Sequence, residues 1–457
     1  MGDVDGAGRA LAYGMINAAA ENSRENKIVK TCMLAKGYTM VDENSPLLST
    51  SQPAQQIHSN YADAYYNTAI AKHFKGDLDA AIADYTQAIE LKPDYALAYL
   101  NRGRAKHDKG DLDGTIADCT RAIDLKPDYA DTYTVRGVGE QEKGNLDGAI
   151  ADHTKAIELK PDYAYAYYNR GNAKQCKGDS DGAIADFTKA IQLKPDLAAA
   201  YYNRGTTRHH RGDLVGAIAD YTEAIQQQPD LAIAYSNRGA AKHDEGDLDG
   251  AIEDFTKAIE LKPDYAGAYN NRGLAQQDKG DVERAIADYN KVINLTPGYA
   301  GAYYNRGCLR YDSRRFTDAL VDFSKAVELD SSNDYARFRL WLIRARLGEA
   351  EAATTELQTY LAGRANGKLD DWASKIGHFL AGQLPEPEFL AAAKNGDQKT
   401  TTGQLCEAYF YAASKHLFSG QKPIATDYFQ KSIATDKSDY LEYASAVAEL
   451  KYLKNQK

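Results

Sequence analysis

From residue 62 to residue 333 the apolar positions recur with a single period of 34 residues. Inside each period they follow two stretches of helical spacing, separated by a Gly-Asp or Gly-Asn step and closed by a Pro. Tyr95 to Asp128 reads YALAYLNRGRAKHDKGDLDGTIADCTRAIDLKPD, and Tyr163 to Asp196 reads YAYAYYNRGNAKQCKGDSDGAIADFTKAIQLKPD. Position 1 is set at Ala62, Ala96, Ala130, Ala164, Ala198, Ala232, Ala266 and Ala300, which gives eight units. The pattern predicts helix A over positions 1–14 and helix B over positions 17–31. Gly at position 15 of seven units, Gly76 to Gly280, suits the left-handed conformation that ends helix A. The Asp or Asn that follows suits the cap of helix B, and Pro at position 32 stops that helix.

Small residues mark the helix crossings. Position 8 is Ala69 and then Gly from Gly103 to Gly307, position 20 is Ala except at Thr115, and position 27 is Ala except at Val292. Large residues face them: Tyr fills position 4 in all eight units, and position 24 is aromatic in most. Cys119, at position 24 of the second unit, reads as a small core filler. Arg stands at position 7 from Arg102 to Arg306, and Asp stands at position 23 of every unit. The two predict a repeated structural ion pair between helices A and B, because a partly buried Arg needs a partner; the alternative is a phosphate-binding comb. A unit this short cannot bury its own apolar face, so stacked neighbours must bury it.

These residues resemble the tetratricopeptide repeat family, as in Tyr167, Gly171, Ala183, Phe187, Ala190 and Pro195. The resemblance implies an all-α, right-handed superhelical solenoid whose A helices line a concave groove at positions 2, 5, 6, 9, 12 and 13. Position 6 is Asn67, Asn101, Asn169, Asn203, Asn237, Asn271 and Asn305, interrupted by Val135. A carboxamide both donates and accepts, so such a row suits the backbone of an extended polypeptide. Position 5 adds Tyr66, Tyr168, Tyr202 and Tyr304 as amphipathic contact area. Position 13 adds Asp108, Glu142, Asp244, Asp278 and Asp312, which point to a protein or peptide partner with basic segments. The carboxylate clamp of the chaperone-binding members needs Lys or Arg at positions 2 and 6, and no unit has one there.

The ends depart from the period. Residues 1–60 read as a helical and linker segment, with a helix over Gly6 to Asn26 and a linker over Pro46 to Pro53. Residues 61–333 are the eight units, and residues 334–457 form a degenerate helical region. In that region Asp334 to Leu361 keeps the frame, with Trp341 at the Gly position. Turns are expected at Leu384 to Pro387 and Asn395 to Gly403, a further unit from Cys406, and a last helix, Asp439 to Lys454, covering the open end. The string Cys32 to Tyr38 resembles a short element of small bacterial envelope proteins. The stretch CEAYFYAASKHLFSGQKPIATDYFQKSIATDKSDYLEYASAVAEL resembles the tail of bacterial outer-membrane TPR lipoprotein adaptors. These two resemblances imply a periplasmic or envelope-associated protein whose true start lies upstream. The alternative is a cytoplasmic one, since no leader is visible in the sequence.

Composition narrows the function. The 457 residues carry a formal net charge of −10, which argues against nucleic acid as partner. No apolar run is long enough for a transmembrane segment. Five scattered cysteines do not make a disulfide framework. Gly178 to Gly182 matches a nucleophile-elbow string but falls in the turn between helices A and B, where no strand precedes it. His73, His107, His209 and His243 share position 12, too far apart in a solenoid to ligate one metal. No catalytic residue, metal site or cofactor is therefore expected. The reading is a non-enzymatic scaffold or adaptor that binds extended polypeptide in the groove. The alternatives are an enzyme or enzyme subunit with chemistry in residues 334–457, or a structural protein that homo-oligomerises end to end.

Overall fold

The computed structural model describes residues 54–364, 371–394, 396–437 and 440–455. The helix expected at Gly6 to Asn26, the Cys32 to Tyr38 string and the linker to Pro53 lie outside them. Among the described residues all regular structure is α-helical, in 23 helices. The chain divides into two compact units, Met1–Asp247 and Leu248–Lys457.

The first unit is a run of antiparallel helix pairs. Helices α1 (Ala54–Phe74), α3 (Ala96–Asp108), α5 (Ala130–Glu142), α7 (Ala164–Lys177), α9 (Ala198–His210) and α11 (Ala232–Glu245) are its A helices. Helices α2 (Leu78–Leu91), α4 (Leu112–Leu125), α6 (Leu146–Leu159), α8 (Ser180–Leu193) and α10 (Leu214–Gln227) are its B helices. The turns form as expected: Gly76, Gly110, Gly144, Gly178 and Gly212 have φ between 80° and 87°. The next residue caps helix B; the Gly182 amide donates to Asp179 Oδ1 at 2.9 Å, and the Gly216 amide to Asp213 Oδ1 at 3.0 Å.

The close crossings lie where small residues meet large ones. A Cβ placed on Gly171 would stand 2.7 Å from the Phe187 ring, and one on Gly137 would stand 2.8 Å from His153. The knob beside this crossing is the tyrosine of position 5, not that of position 4. Tyr168 packs at a tilt against Phe187 and Tyr202 against Tyr221, each at 5.9 Å between centroids, and both tyrosines are buried. From Tyr99 onward the position-4 tyrosines lie one helical step away, where the position-7 guanidinium covers them at 5.5–5.7 Å, as Arg102 covers Tyr99 and Arg204 covers Tyr201.

In the second unit the regular pairs continue through α12 (Leu248–Leu261), α13 (Ala266–Asp278), α14 (Val282–Leu295), α15 (Ala300–Asp312) and α16 (Phe316–Leu329). Arg314 keeps the left-handed turn conformation without glycine, at φ 62°. The degenerate unit is α17 (Asp334–Arg346) with α18 (Ala350–Gly363), followed by short helices α19 (Trp372–Leu380) and α20 (Glu386–Ala392). The turn expected over Asn395 to Gly403 is shorter. Helix α21 (Gln398–Phe418) starts at Gln398, because Asp397 accepts the Thr400 amide at 2.8 Å and caps it. Helices α22 (Lys422–Ile433) and α23 (Leu441–Lys454) complete the chain, and one apolar core runs from Cys308 to Leu453.

Candidate polypeptide-binding face

Among the described residues of the first unit, successive A helices from α1 to α11 lie beside one another, and α1, α3, α5, α7 and α9 each pack against their own B helix. The A helices therefore form the inner side of the stack. Side chains one repeat apart meet across this side in regular ladders.

Position 6 meets position 5 of the preceding repeat. The Asn101 amide donates to the Tyr66 hydroxyl at 2.7 Å, Asn203 to Tyr168 at 3.0 Å, and Asn237 to Tyr202 at 3.0 Å. Asn203 also donates to Asn172 Oδ1 at 2.7 Å, and Asn101 accepts from Arg104. Asn169 and Asn203 are buried with Tyr168 and Tyr202. The reason is packing: position 5 fills the helix crossing, and its hydroxyl needs a buried partner. Tyr168 and Tyr202 thus leave the set of residues a ligand can touch. Asn67, Asn101, Asn237, Asn271 and Asn305 stay half-buried with Tyr66, whereas the Tyr304 hydroxyl is enclosed by Cys308, Arg339 and Glu442; Asn271 accepts from the side chain of Asn270 at 3.3 Å.

Position 12 meets position 13 of the following repeat. His73 Nε2 donates to Asp108 at 2.6 Å, His107 to Glu142 at 3.2 Å, and His209 to Asp244 at 2.7 Å. Burial works against a charged His107, but the Asp108 and Glu142 carboxylates outweigh it and push its pKa up to about 9. Burial likewise opposes ionisation of Asp108, yet His107 and His73 hold it down to about 2. His73, His107 and His209 thus each meet an acid of the following repeat, an arrangement the 35-residue offset between positions 12 and 13 could have revealed.

The Arg–Asp pair forms as the sequence predicts. Arg102, Arg136, Arg170, Arg204, Arg272 and Arg306 each make two parallel hydrogen bonds to the Asp sixteen residues on. A further partner comes from the preceding repeat. Arg170 Nη1 donates to Thr154 Oγ1 at 3.1 Å, and Arg204 Nη1 to Thr188 Oγ1 at 2.9 Å. One guanidinium therefore joins three helices. In the degenerate unit Leu340 replaces the Arg and Trp341 the Gly. A cavity of about 300 Å³ stands there, lined by Ser324, Arg337, Trp341 and Arg344.

At the end of the second unit the same register positions hold α23. Arg339, at position 6 of the degenerate unit and fully buried, donates to Glu442 at 3.1 Å and to Ser445 Oγ at 2.9 Å. Ser445 donates to Asp312, position 13, at 2.6 Å. Glu449 accepts from Arg346, also position 13, from Arg314 at 3.2 Å and from Tyr311, position 12, at 3.5 Å. Burial pushes the Asp312 carboxyl up to about 7, with Glu449 and Glu442 adding to it against Arg339 and Ser445. Burial and then Glu442 raise Glu407 to about 8 against the Trp372 indole, which donates to it at 2.5 Å. The last helix thus lies along the A-helix side of α15 and α17 as well as against α22, where the sequence places it only over the open end. No period links residues about a hundred apart, so this cluster had no sequence signal.

Family models for the tetratricopeptide repeat match residues 71–110, 96–129, 141–178, 164–197, 206–246, 239–280, 277–313 and 300–333. The chain belongs to the tetratricopeptide repeat family. These matches stop at residue 333 and lend no support to the likeness of the C-terminal part to outer-membrane lipoprotein adaptors. Among solved structures, the chain is similar to MamA, with 30% identity over 35% of this chain and 94% of that one, at a TM-score of 0.34. It is similar to YrrB, described as a TPR protein with an unusual peptide-binding site, with 27% identity over 40% and 95%, at 0.37. A tetratricopeptide repeat protein from Parabacteroides merdae is 21% identical over 54% and 98%, at 0.41. No curated protein matches the chain at a significant level. No described helix is long and apolar enough to cross a membrane.

Proposed function

We propose that the protein is a non-enzymatic scaffold that binds polypeptide along the A-helix side of its repeats. The observation that supports this reading most is the continuous row of A helices in the first unit. It presents half-exposed side chains at a fixed register: Asn67, Asn101 and Asn237 at position 6, and Leu97, Tyr165 and Ile233 at position 2. Tyr165 and Ile233 supply apolar contact, and the half-exposed asparagines supply what hydrogen bonding the ladders leave over. The preference for basic segments is weaker than the sequence implies, because Asp108, Glu142 and Asp244 already hold histidines. An envelope location belongs to the same proposal and is tested by fractionation of the native host. The binding test is capture of partners by the full chain, identified by mass spectrometry, then repeated with Tyr165→Glu/Ile233→Glu. Both side chains also rest on the edge of the core, so the variant is expected to melt somewhat lower yet stay folded, and to lose the partner by about tenfold or more. A folded variant with unchanged affinity overturns the reading.

A further inference from the structure

The A-helix side of α15 and α17 is already occupied, and what occupies it specifies a ligand. Helix α23 turns Glu442, Ser445 and Glu449 toward this side, a spacing of three and then four residues that makes one helical stripe. All three are buried, and they meet Arg339, Arg346, Arg314, Asp312 and Tyr311. A separate stripe, Ala446, Leu450 and Leu453, is buried in the apolar core. The side of α23 that touches α15 and α17 is therefore acidic and polar. Tyr411 of α21 also donates to Glu442, at 3.1 Å, and positions 6, 12 and 13 supply four of the stripe's six partners, the same positions that carry the ladders of the first unit.

We propose that this face is a receptor for an acidic amphipathic helix, filled in the free chain by its own α23 and open to a partner helix that repeats the Glu-x-x-Ser-x-x-x-Glu stripe. Charge complementarity names the occupant: the site supplies guanidiniums at Arg339, Arg346 and Arg314, which carboxylates match by charge-assisted hydrogen bonds. An exchange of one acidic stripe for another leaves each guanidinium paired, so no buried charge is stranded. The tethered helix competes at an effective concentration on the order of millimolar, so a partner gains the site when α23 is loosened. The proposal rests on reading the A-helix side as a polypeptide surface, but on residues of the second unit alone.

The test uses a fluorescent peptide of residues 440–455 and the full chain. The wild-type chain is expected to bind it weakly, and a Glu442→Ala/Glu449→Ala chain at least about tenfold more tightly, because its own helix no longer competes for the arginines. A peptide with the same two substitutions is expected to bind neither chain. Should the doubly substituted chain fail to fold, Glu449→Gln keeps the side-chain volume and is expected to gain affinity by a smaller factor. A folded variant with no gain overturns the proposal, as does equal binding of the substituted peptide. Tyr165→Glu/Ile233→Glu in the same chain is expected to leave peptide binding unchanged, so failure of the first-unit face and failure of this site are told apart.

Discussion

Arg170 and Asp186 stand sixteen residues apart and make two parallel hydrogen bonds, Nε to Oδ2 at 2.9 Å and Nη2 to Oδ1 at 2.7 Å. Asp186 is buried, and the third guanidinium nitrogen reaches Thr154 of the preceding repeat. Removal of Asp186 strands the arginine, whereas removal of Arg170 leaves Asp186 with Lys174 Nζ at 2.8 Å. Arg170→Ala is expected to cost about 1–3 kcal/mol, whereas Lys189→Ala, on an exposed face, is expected to cost under about 0.5 kcal/mol. A double-mutant cycle with Asp186→Ala checks this by denaturant melts, and zero coupling refutes it.

Gly171 is a packing requirement rather than a conformational one. Its missing Cβ leaves room for Phe187 at 2.7 Å, so Gly171→Leu is expected to cost about 1–3 kcal/mol or more by overpacking. Hydrogen exchange should show the loss shared by α7, α8 and the repeats beside them, because interfaces are shared.

His153 takes the place that Phe187 and Phe323 hold in other repeats, fully buried and with both ring nitrogens unpartnered. Burial pushes its pKa from 6.5 to about 3. The folded state thus binds fewer protons than the unfolded one, and stability is lost as pH falls from about 6.5 toward about 3, on the order of several kcal/mol in all. His153→Phe should abolish this slope and raise stability by about 1 kcal/mol or more, because it ends the burial of two unpaired polar atoms. Melts of the two chains between pH 7 and pH 4 decide the matter.

Asp312 predicts the opposite slope at the C-terminal end. Its folded pKa is raised from 3.8 to about 7, so its contribution is fully present below 3.8 and lost as pH rises through about 7. Exchange protection of α23 should therefore fall between pH 5 and pH 7.5, and Asp312→Asn should flatten the change. Unaltered dependence in that variant assigns the slope to Glu407, raised to about 8, instead.

The repeat made most of the fold legible. Its glycines, caps and prolines fix where helices begin and end, since these effects act within a few residues, and helix bounds agree within one residue at Ala96–Asp108 and Leu112–Leu125. The Arg–Asp pair was legible because both members recur. Tyr168 and Tyr202 were misplaced because positions 4 and 5 differ by a single helical step, and only the Gly crossing decides which one enters the core. Thr154 and Thr188 were missed because a polar residue on helix B looks solvent-facing until the next repeat's Arg is seen above it. Arg339 and Glu442 recur nowhere, so their pairing emerges only from the folded chain.

The guanidinium that ties three helices has a consequence for how such a chain can change in length. Arg170 now reaches Thr154, but deletion of residues 130–163 would place it over Thr120, the same residue at the same register, while its bonds to Asp186 stay within its own repeat. A junction cut in whole copies regenerates its own fastening, whereas a cut of any other size leaves an arginine facing the wrong side chain. Gain and loss of entire repeats is then the cheapest route by which this architecture evolves a shorter or longer reach. The shortened chain should fold, with a melt only modestly below that of the parent.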